Sequence, residues 1–349
     1  MDKRLIHAVA GSGKTREIIE SLNPQKKNLL ITYTENNQRV LKERILKRFG
    51  YMPEHTHVFG LFEFLYSFCL VPYCEERLSG INFDYKPVSQ YDNNSIDSNY
   101  RVIHNRLSKA INEGILVINR KKISFDNSYL ERIDKFFECI YIDECQDFES
   151  YDFDWMLNLS RLQAKVILLG DYYQKTFSTS RNGNKGNAIH SSYSNWSKAI
   201  SKSGFEIDTG KLAKSWRCPK YICDFIVQNL DIQIVSEKQV NNYAEVKFID
   251  TQDEIDKIMK EDSIIKLFYQ KASSYECNGC NWGESKGTEY DKVCVVLNKT
   301  VMEKYSNNKL SELATTTKSK FYVACTRSKE ALYFIPESKV KAHKVKTTE

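Results

Sequence analysis

Apolar positions along the chain follow two periods. Short unbroken apolar runs end at glycine, asparagine or acidic residues. Between them lie stretches whose apolar residues recur every three or four positions. "LIHAVA" (5–10) reads as a buried strand, followed by a Gly-rich turn and the helix "KTREIIESL" (14–22). "NLLITYT" (28–34) is a second strand. "NNQRVLKERILKRF" (36–49) is a helix with Val40, Leu41, Ile45 and Phe49 on one face. "CIYIDE" (139–144) and "AKVILLGD" (164–171) are further strands, each closing on acidic residues. This alternation predicts an α/β fold with parallel sheets.

Between residues 51 and 135 the pattern changes. "GLFEFLYSFCL" (60–70) is an apolar helix candidate, and "DYKPVSQYDNNSIDSNY" (84–100) is polar and irregular. This segment reads as a small, mostly helical insertion, leaving residues 1–50 and 136–210 as the first α/β domain. A second domain, 211–337, opens with "LAKSWRCPKYICDFIVQNL". It continues through the strands "EVKFID", "SIIKLF" and "KVCVVL" and ends in "KSKFYVACTRSKEALYFI". Residues 338–349 form a basic tail without periodicity, expected to be solvated or frayed. No internal repeat at solenoid periods is present.

Composition narrows the class. With 349 residues, 41% hydrophobic and 28% charged, the chain suits two ordinary domains. It has no apolar run of about 18 residues, so no transmembrane helix is expected. The N-terminus runs directly into a motif without a signal-peptide pattern, and a cytoplasmic protein is expected. A net charge of +6 suits a nucleic-acid partner without demanding one. The ten cysteines are scattered, several in apolar runs, as reduced cysteines are. Cys277 and Cys280 in "CNGC" have metal-ligand spacing, but no second pair follows, so a turn with two thiols is the favoured reading.

The chemistry starts at residues 8–15, "AVAGSGKT". Gly11, Ser12, Gly13, Lys14 and Thr15 follow a strand and open a helix, as a phosphate-binding loop does, with Ala8 where the general pattern has its first glycine. Backbone amides cradle the phosphates, Lys14 reaches the β/γ-phosphates, and Thr15 binds Mg²⁺. Asp143 and Glu144 close the strand "CIYIDE", where an acidic pair can hold the metal (Asp143) and activate water (Glu144).

Seven stretches occur in a familiar order: "AGSGKT", "TYTENN", "DECQDF", "LGDYYQKTF", "SWRCP", "SKGTEYDKV" and "YVACTRSKEAL". In this series the chain resembles superfamily 1 helicases of the UvrD/Rep type. The resemblance implies two RecA-like P-loop domains with ATP and Mg²⁺ bound between them, and 3′–5′ movement on single-stranded or tailed DNA. By the same resemblance Gln174 senses the γ-phosphate and Trp216 stacks on adenine. Arg217 and Arg327 act as arginine fingers, and Glu289 contacts the ribose. Tyr33, Phe177 and Lys286 correspond to nucleic-acid contacts, set against a core aromatic for the first two and a solvated lysine for the third.

Three departures stand out. No adenine-reading glutamine precedes the loop. Ser178, Thr179 and Ser180 replace a base-stacking tryptophan, and only a short span separates Arg217 from Lys286. Short relatives of this kind accompany nucleases in bacterial defence systems, so a regulatory ATPase bound to a protein partner is the alternative. A small-molecule P-loop kinase would leave Gln174, Arg217 and Arg327 without roles.

Overall fold

The computed structural model describes residues 2–87, 92–177, 185–238 and 246–345. The chain is mixed α/β and its two larger sheets contain parallel strands. Described residues group into two compact units. One lies within 2–6, 14–170 and 185–208, the other within 7–13, 171–177 and 209–345. No helix among the described residues is long and apolar enough to cross a membrane.

A six-stranded sheet has the spatial order Glu206–Leu212, Lys3–Ala8, Lys165–Gly170, Cys139–Ile142, Asn28–Thr32, Thr56–Gly60. Its central strands carry apolar runs, as strands covered on both faces do, and Leu29, Ile31, Ile140, Ile142 and Leu168 are fully buried. Asn28–Thr32 pairs in parallel with both Cys139–Ile142 and Thr56–Gly60. The helix between, Glu35–Phe49, is capped by Thr34, whose hydroxyl accepts the Asn37 N–H at 3.2 Å. Leu41 and Ile45 of the expected face are buried, while Val40 and Phe49 lie at its margin.

Two expectations for residues 51–135 need correction. Thr56–Gly60 is an edge strand of the main sheet, so the sheet does not stop at residue 50. The rest of the segment is mixed rather than mostly helical. It holds the helices His104–Glu113 and Tyr129–Phe136 and two small strand pairs. One pair is the hairpin Ile115–Ile118 with Lys121–Ser124. Its two turn residues, Asn119 and Arg120, both have positive φ (49° and 65°), as a tight turn matching strand twist requires. The apolar run 61–70 is helical, but it passes from an α-turn at Leu61–Phe64 into a π-helix at Leu65–Leu70. Phe64 and Phe68 stack there at 4.9 Å, and the Arg132 guanidinium covers Phe68.

The second unit contains a five-stranded sheet in the order Val246–Phe248, Ser328–Pro336, Tyr290–Leu297, Ile264–Phe268, Gly279–Asn281, parallel throughout. Leu267, Val293 and Val295 pack on one face with the helices Lys220–Leu230 and Thr315–Cys325. Phe268, Cys294 and Val296 pack on the other with Gln252–Lys260. Cys280 packs with the first face and Cys277 with the second, so the "CNGC" thiols belong to different apolar clusters. The tail also departs from expectation. Val340 is fully buried, His343 bonds Asp256 at 2.7 Å, and the Val345 amide donates to the Ser274 carbonyl at 3.0 Å. Residues 338–345 are therefore docked, and 346–349 lie outside the described residues.

Candidate functional site

The loop after the first strand is shaped by glycine. Gly11 and Gly13 have φ of +72° and +90°, in the left-handed region. Gly11 meets a second constraint: a Cβ there would lie 2.5 Å from Arg217 Cβ and 2.8 Å from Ser215 Oγ. The loop is tied down by its backbone. Val9 N–H donates to the Leu212 carbonyl at 3.0 Å, and the Gly11 carbonyl accepts the Trp216 N–H at 2.9 Å. Ser12 Oγ is buried with no hydrogen-bond partner. The helix Lys14–Ser21 starts immediately after the loop, with Thr15 in its first turn. Free amides at a helix N-terminus beside glycine-shaped backbone fit a phosphate chain.

In the first unit the buried strand Cys139–Ile142 delivers Asp143 and Glu144 at its carboxyl end. Asp143 is buried; its N–H donates to the Ile31 carbonyl at 2.9 Å, and its Oδ1 accepts the Glu144 N–H at 3.0 Å. Glu144 has φ of 54°, a conformation that costs a non-glycine residue energy and turns its side chain out of line with the strand. Lys14 Nζ lies 3.7 Å from Glu144 Oε1, both side chains largely shielded. Gln146, which sequence reasoning missed, donates its amide to Glu144 Oε2. Gly170 leaves room for this, since a Cβ there would sit 2.5 Å from Gln146 Oε1. Thr15 and Asp143 offer hard oxygen ligands. Mg²⁺ commonly takes one or two carboxylates together with substrate phosphates, so the donor set fits that ion. Among the described residues no cluster of three or more His, Cys, Asp or Glu is placed to hold a metal by protein ligands alone.

The second unit gathers the remaining nucleotide candidates. Trp216 is 61% exposed, a flat apolar surface available to a base. Arg217 donates Nε and Nη2 to Glu289 Oε1 at 2.9 and 2.7 Å. Burial, the largest single influence, opposes ionisation of Glu289, but the charge and hydrogen bonds of Arg217 together with the charges of Arg327 and Lys329 outweigh it and hold the carboxyl below its usual range. Arg327 is almost fully buried, and its guanidinium is held by oxygen acceptors: the Val323 carbonyl at 2.9 Å, the Thr288 carbonyl at 3.2 Å and Thr326 Oγ1 at 3.3 Å. Burial, then the positive charge of Arg217, bring its pKa down to about 10, so it stays charged at neutral pH. Gln174 is buried, with Nε2 donating to Asp171 Oδ2 at 2.8 Å.

The nucleic-acid candidates are placed as follows. Tyr33, in the first unit, is half-buried, edge-on to Phe62 (5.6 Å) and Phe148 (5.7 Å), with its hydroxyl 3.4 Å from Asp152 Oδ2. Its ring thus packs in part among core aromatics. Phe177, in the second unit, is 46% exposed and takes Lys286 Nζ over its ring at 5.9 Å. Lys286 is therefore not simply solvated. Ser178, Thr179 and Ser180 lie outside the described residues.

Sequence reasoning also missed Asp171 and Tyr322, both fully buried. Asp171 follows the strand in "LLGD", where its end position was noted, but Tyr322 in "FYVACTR" reads only as core. Distance in sequence concealed its contacts.

Comparison with known proteins fits these features. The family model of the viral superfamily 1 RNA helicase core domain matches residues 96–336, more than half of the chain and spanning Asp143 to Arg327. No curated protein matches significantly. Among solved structures, the helicase of PRRSV aligns with a TM-score of 0.48 and 14% identity over 97% of this chain and 53% of its own. The arterivirus nonstructural protein 10 helicase in complex with DNA gives 0.49 and 12% over 98% and 63%. A further structure of arterivirus nonstructural protein 10 gives 0.49 and 14% over 97% and 62%. The chain thus spans between about half and two thirds of those proteins, and the assignment rests on the family match. That match supports the superfamily but not its UvrD/Rep branch. The chain belongs to the viral superfamily 1 RNA helicase core family.

Proposed function

We propose that the chain hydrolyses ATP with Mg²⁺ and couples the reaction to movement along single-stranded nucleic acid, with helicase activity. The motif series favours DNA and a 3′–5′ direction, while the matched family is one of RNA helicases, so both polymers belong in the test. The observation that carries the reading is the Lys14–Glu144 pair, 3.7 Å apart between a glycine-shaped loop and the acidic end of a parallel strand.

The chemistry follows from these residues. Loop amides and Lys14 hold the β- and γ-phosphates, displacing the ion pair and leaving Glu144 to accept a proton from water. The water oxygen then bonds to the γ-phosphorus as the bond to the ADP oxygen breaks. Thr15 and Asp143 would hold Mg²⁺, which when bound would supply neutralisation of phosphate charge. Arg217 and Arg327 stabilise charge on the transferring group, a role that can contribute roughly 10³–10⁵ in rate. Trp216 stacks on the base and Glu289 takes the ribose. Tyr33, Phe177 and Lys286 contact the strand.

The test is steady-state ATP hydrolysis with and without single-stranded DNA or RNA, using Glu144→Gln as the blank. Stimulation by either polymer that vanishes in the variant supports the reading. Hydrolysis indifferent to both removes the motor.

A further inference from the structure

We propose that Tyr322 and Asp171 are positioning residues for hydrolysis, joining the start of the phosphate loop to Gln174 through one buried hydrogen-bonded chain. The inference rests on the reading of Gln174 given above.

The chain has three links inside the second unit. Ala10 N–H donates to Tyr322 Oη at 3.0 Å. Tyr322 Oη lies 3.2 Å from Asp171 Oδ2. Gln174 Nε2 donates to the same oxygen at 2.8 Å. The directions follow from chemistry. An ionised carboxylate only accepts, so Asp171 must receive both the tyrosine hydrogen and the glutamine amide. With Nε2 turned to Asp171, Gln174 Oε1 faces away. The residue therefore presents an acceptor, the group needed to orient a water hydrogen.

Asp171 also fixes the backbone that carries Gln174. It caps the short turn Tyr172–Gln174, its Oδ1 accepting the Tyr173 N–H at 3.0 Å. Tyr322 is clamped in turn. Its ring meets Tyr173 edge-on at 6.0 Å, and the last turn of its helix holds Arg327 through the Val323 carbonyl. A fully buried polar chain of this kind has a single low-energy arrangement, because water cannot replace any lost partner. Displacement of the loop start is thus felt at Gln174 and at the helix Thr315–Cys325, whose last turn holds Arg327.

The test is a double-mutant cycle read as kcat and KM separately. Tyr322→Phe keeps the ring and removes the hydroxyl. It should lower kcat by about 10²-fold, the loss expected of a misplaced reacting group, with KM for ATP within about threefold of native. In a Gln174→Ala background the same substitution should cost almost nothing more, since a residue acting through Gln174 has nothing left to position. Asp171→Asn offers a second route if the phenylalanine variant folds poorly; it should reproduce the kcat loss, again without adding to Gln174→Ala. Additive losses, or a rise in KM with kcat unchanged, would overturn the proposal. If Gln174→Ala alone leaves kcat intact, the reading of Gln174 fails and takes this inference with it. If native protein hydrolyses no nucleotide, the functional reading itself fails.

Discussion

Arg217 turns Nε and Nη2 onto one oxygen of Glu289, at 2.9 and 2.7 Å. Motif resemblance assigns both residues to the nucleotide, the arginine to the γ-phosphate and the carboxylate to the ribose, and here they satisfy each other. The two variants should therefore separate kinetically. Arg217→Ala should lower kcat by about 10³-fold or more, as loss of an arginine finger does. Glu289→Gln should chiefly raise KM. Phosphate-release kinetics over a range of ATP concentrations checks this, and a kcat loss in Glu289→Gln as deep as in Arg217→Ala would contradict it.

Lys14 and Glu144 are paired through charge, yet their removal has different consequences. In the proposed mechanism Lys14 is the cation that meets the phosphates, so Lys14→Ala should lose nucleotide binding and turnover together. Glu144→Gln keeps the side-chain volume and removes the proposed base, so binding should persist while hydrolysis stops. Titration with a fluorescent nucleotide beside a turnover assay distinguishes the two. Normal hydrolysis by Glu144→Gln would show that another group activates the water.

Gly11→Ala tests the fit between the loop and the chain around Arg217. The added methyl would sit 2.5 Å from a backbone-anchored Cβ, at a φ of +72° that L-residues rarely adopt. Overpacking of this kind typically costs about 1–3 kcal/mol, and the strained φ adds to it. Denaturant unfolding should report the loss. An unchanged midpoint would mean that the loop relaxes freely.

Tyr33 is half-buried, and its hydroxyl lies 3.4 Å from Asp152 Oδ2. If the ring stacks on a base, Tyr33→Ala should weaken nucleic-acid binding by about 1–3 kcal/mol, the range for one aromatic–base contact, while Tyr33→Phe should be nearly neutral. Binding should also weaken with salt, because phosphate contacts release counterions. Fluorescence anisotropy with a labelled oligonucleotide at two salt concentrations measures both effects. Equal losses in the two variants would place the contribution in the hydroxyl instead.

Asp152 carries a pH dependence whose sign can be worked out. Burial of its carboxylate, the largest influence, lifts the pKa to about 6, and the hydroxyls of Ser108 and Tyr33 offset this only in part. An unfolded aspartate titrates near about 3.9. Between these values the folded chain holds a proton that the unfolded chain has released, so stability falls as pH rises through that window and levels off above it. Asp152→Asn lacks the ionisation. Its Tm relative to native should rise from about pH 4 to just above pH 6 and then stay constant. A difference that is flat with pH would sink the assignment.

Sequence alone determined the local parts. The phosphate loop was legible because a strand, two glycines, Lys14 and Thr15 are contiguous, and the acidic pair because it closes an apolar run. Period-two and period-3.6 patterning placed the main strands and helices, since backbone hydrogen bonds in helices and burial along strands are set by near neighbours. Thr56–Gly60 was missed because a short edge strand is recognised by its partner, not by its own residues. Tertiary structure decided the rest. It paired Arg217 with Glu289, set Gln146 on Glu144 and put Cys277 and Cys280 in different apolar clusters. It also joined Ala10 to Tyr322 across 312 positions and Tyr322 to Asp171 across 151. Hydrogen bonds and ion pairs between distant side chains leave no periodic trace in a sequence, and they come into being only when packing brings buried polar groups within about 3 Å of each other.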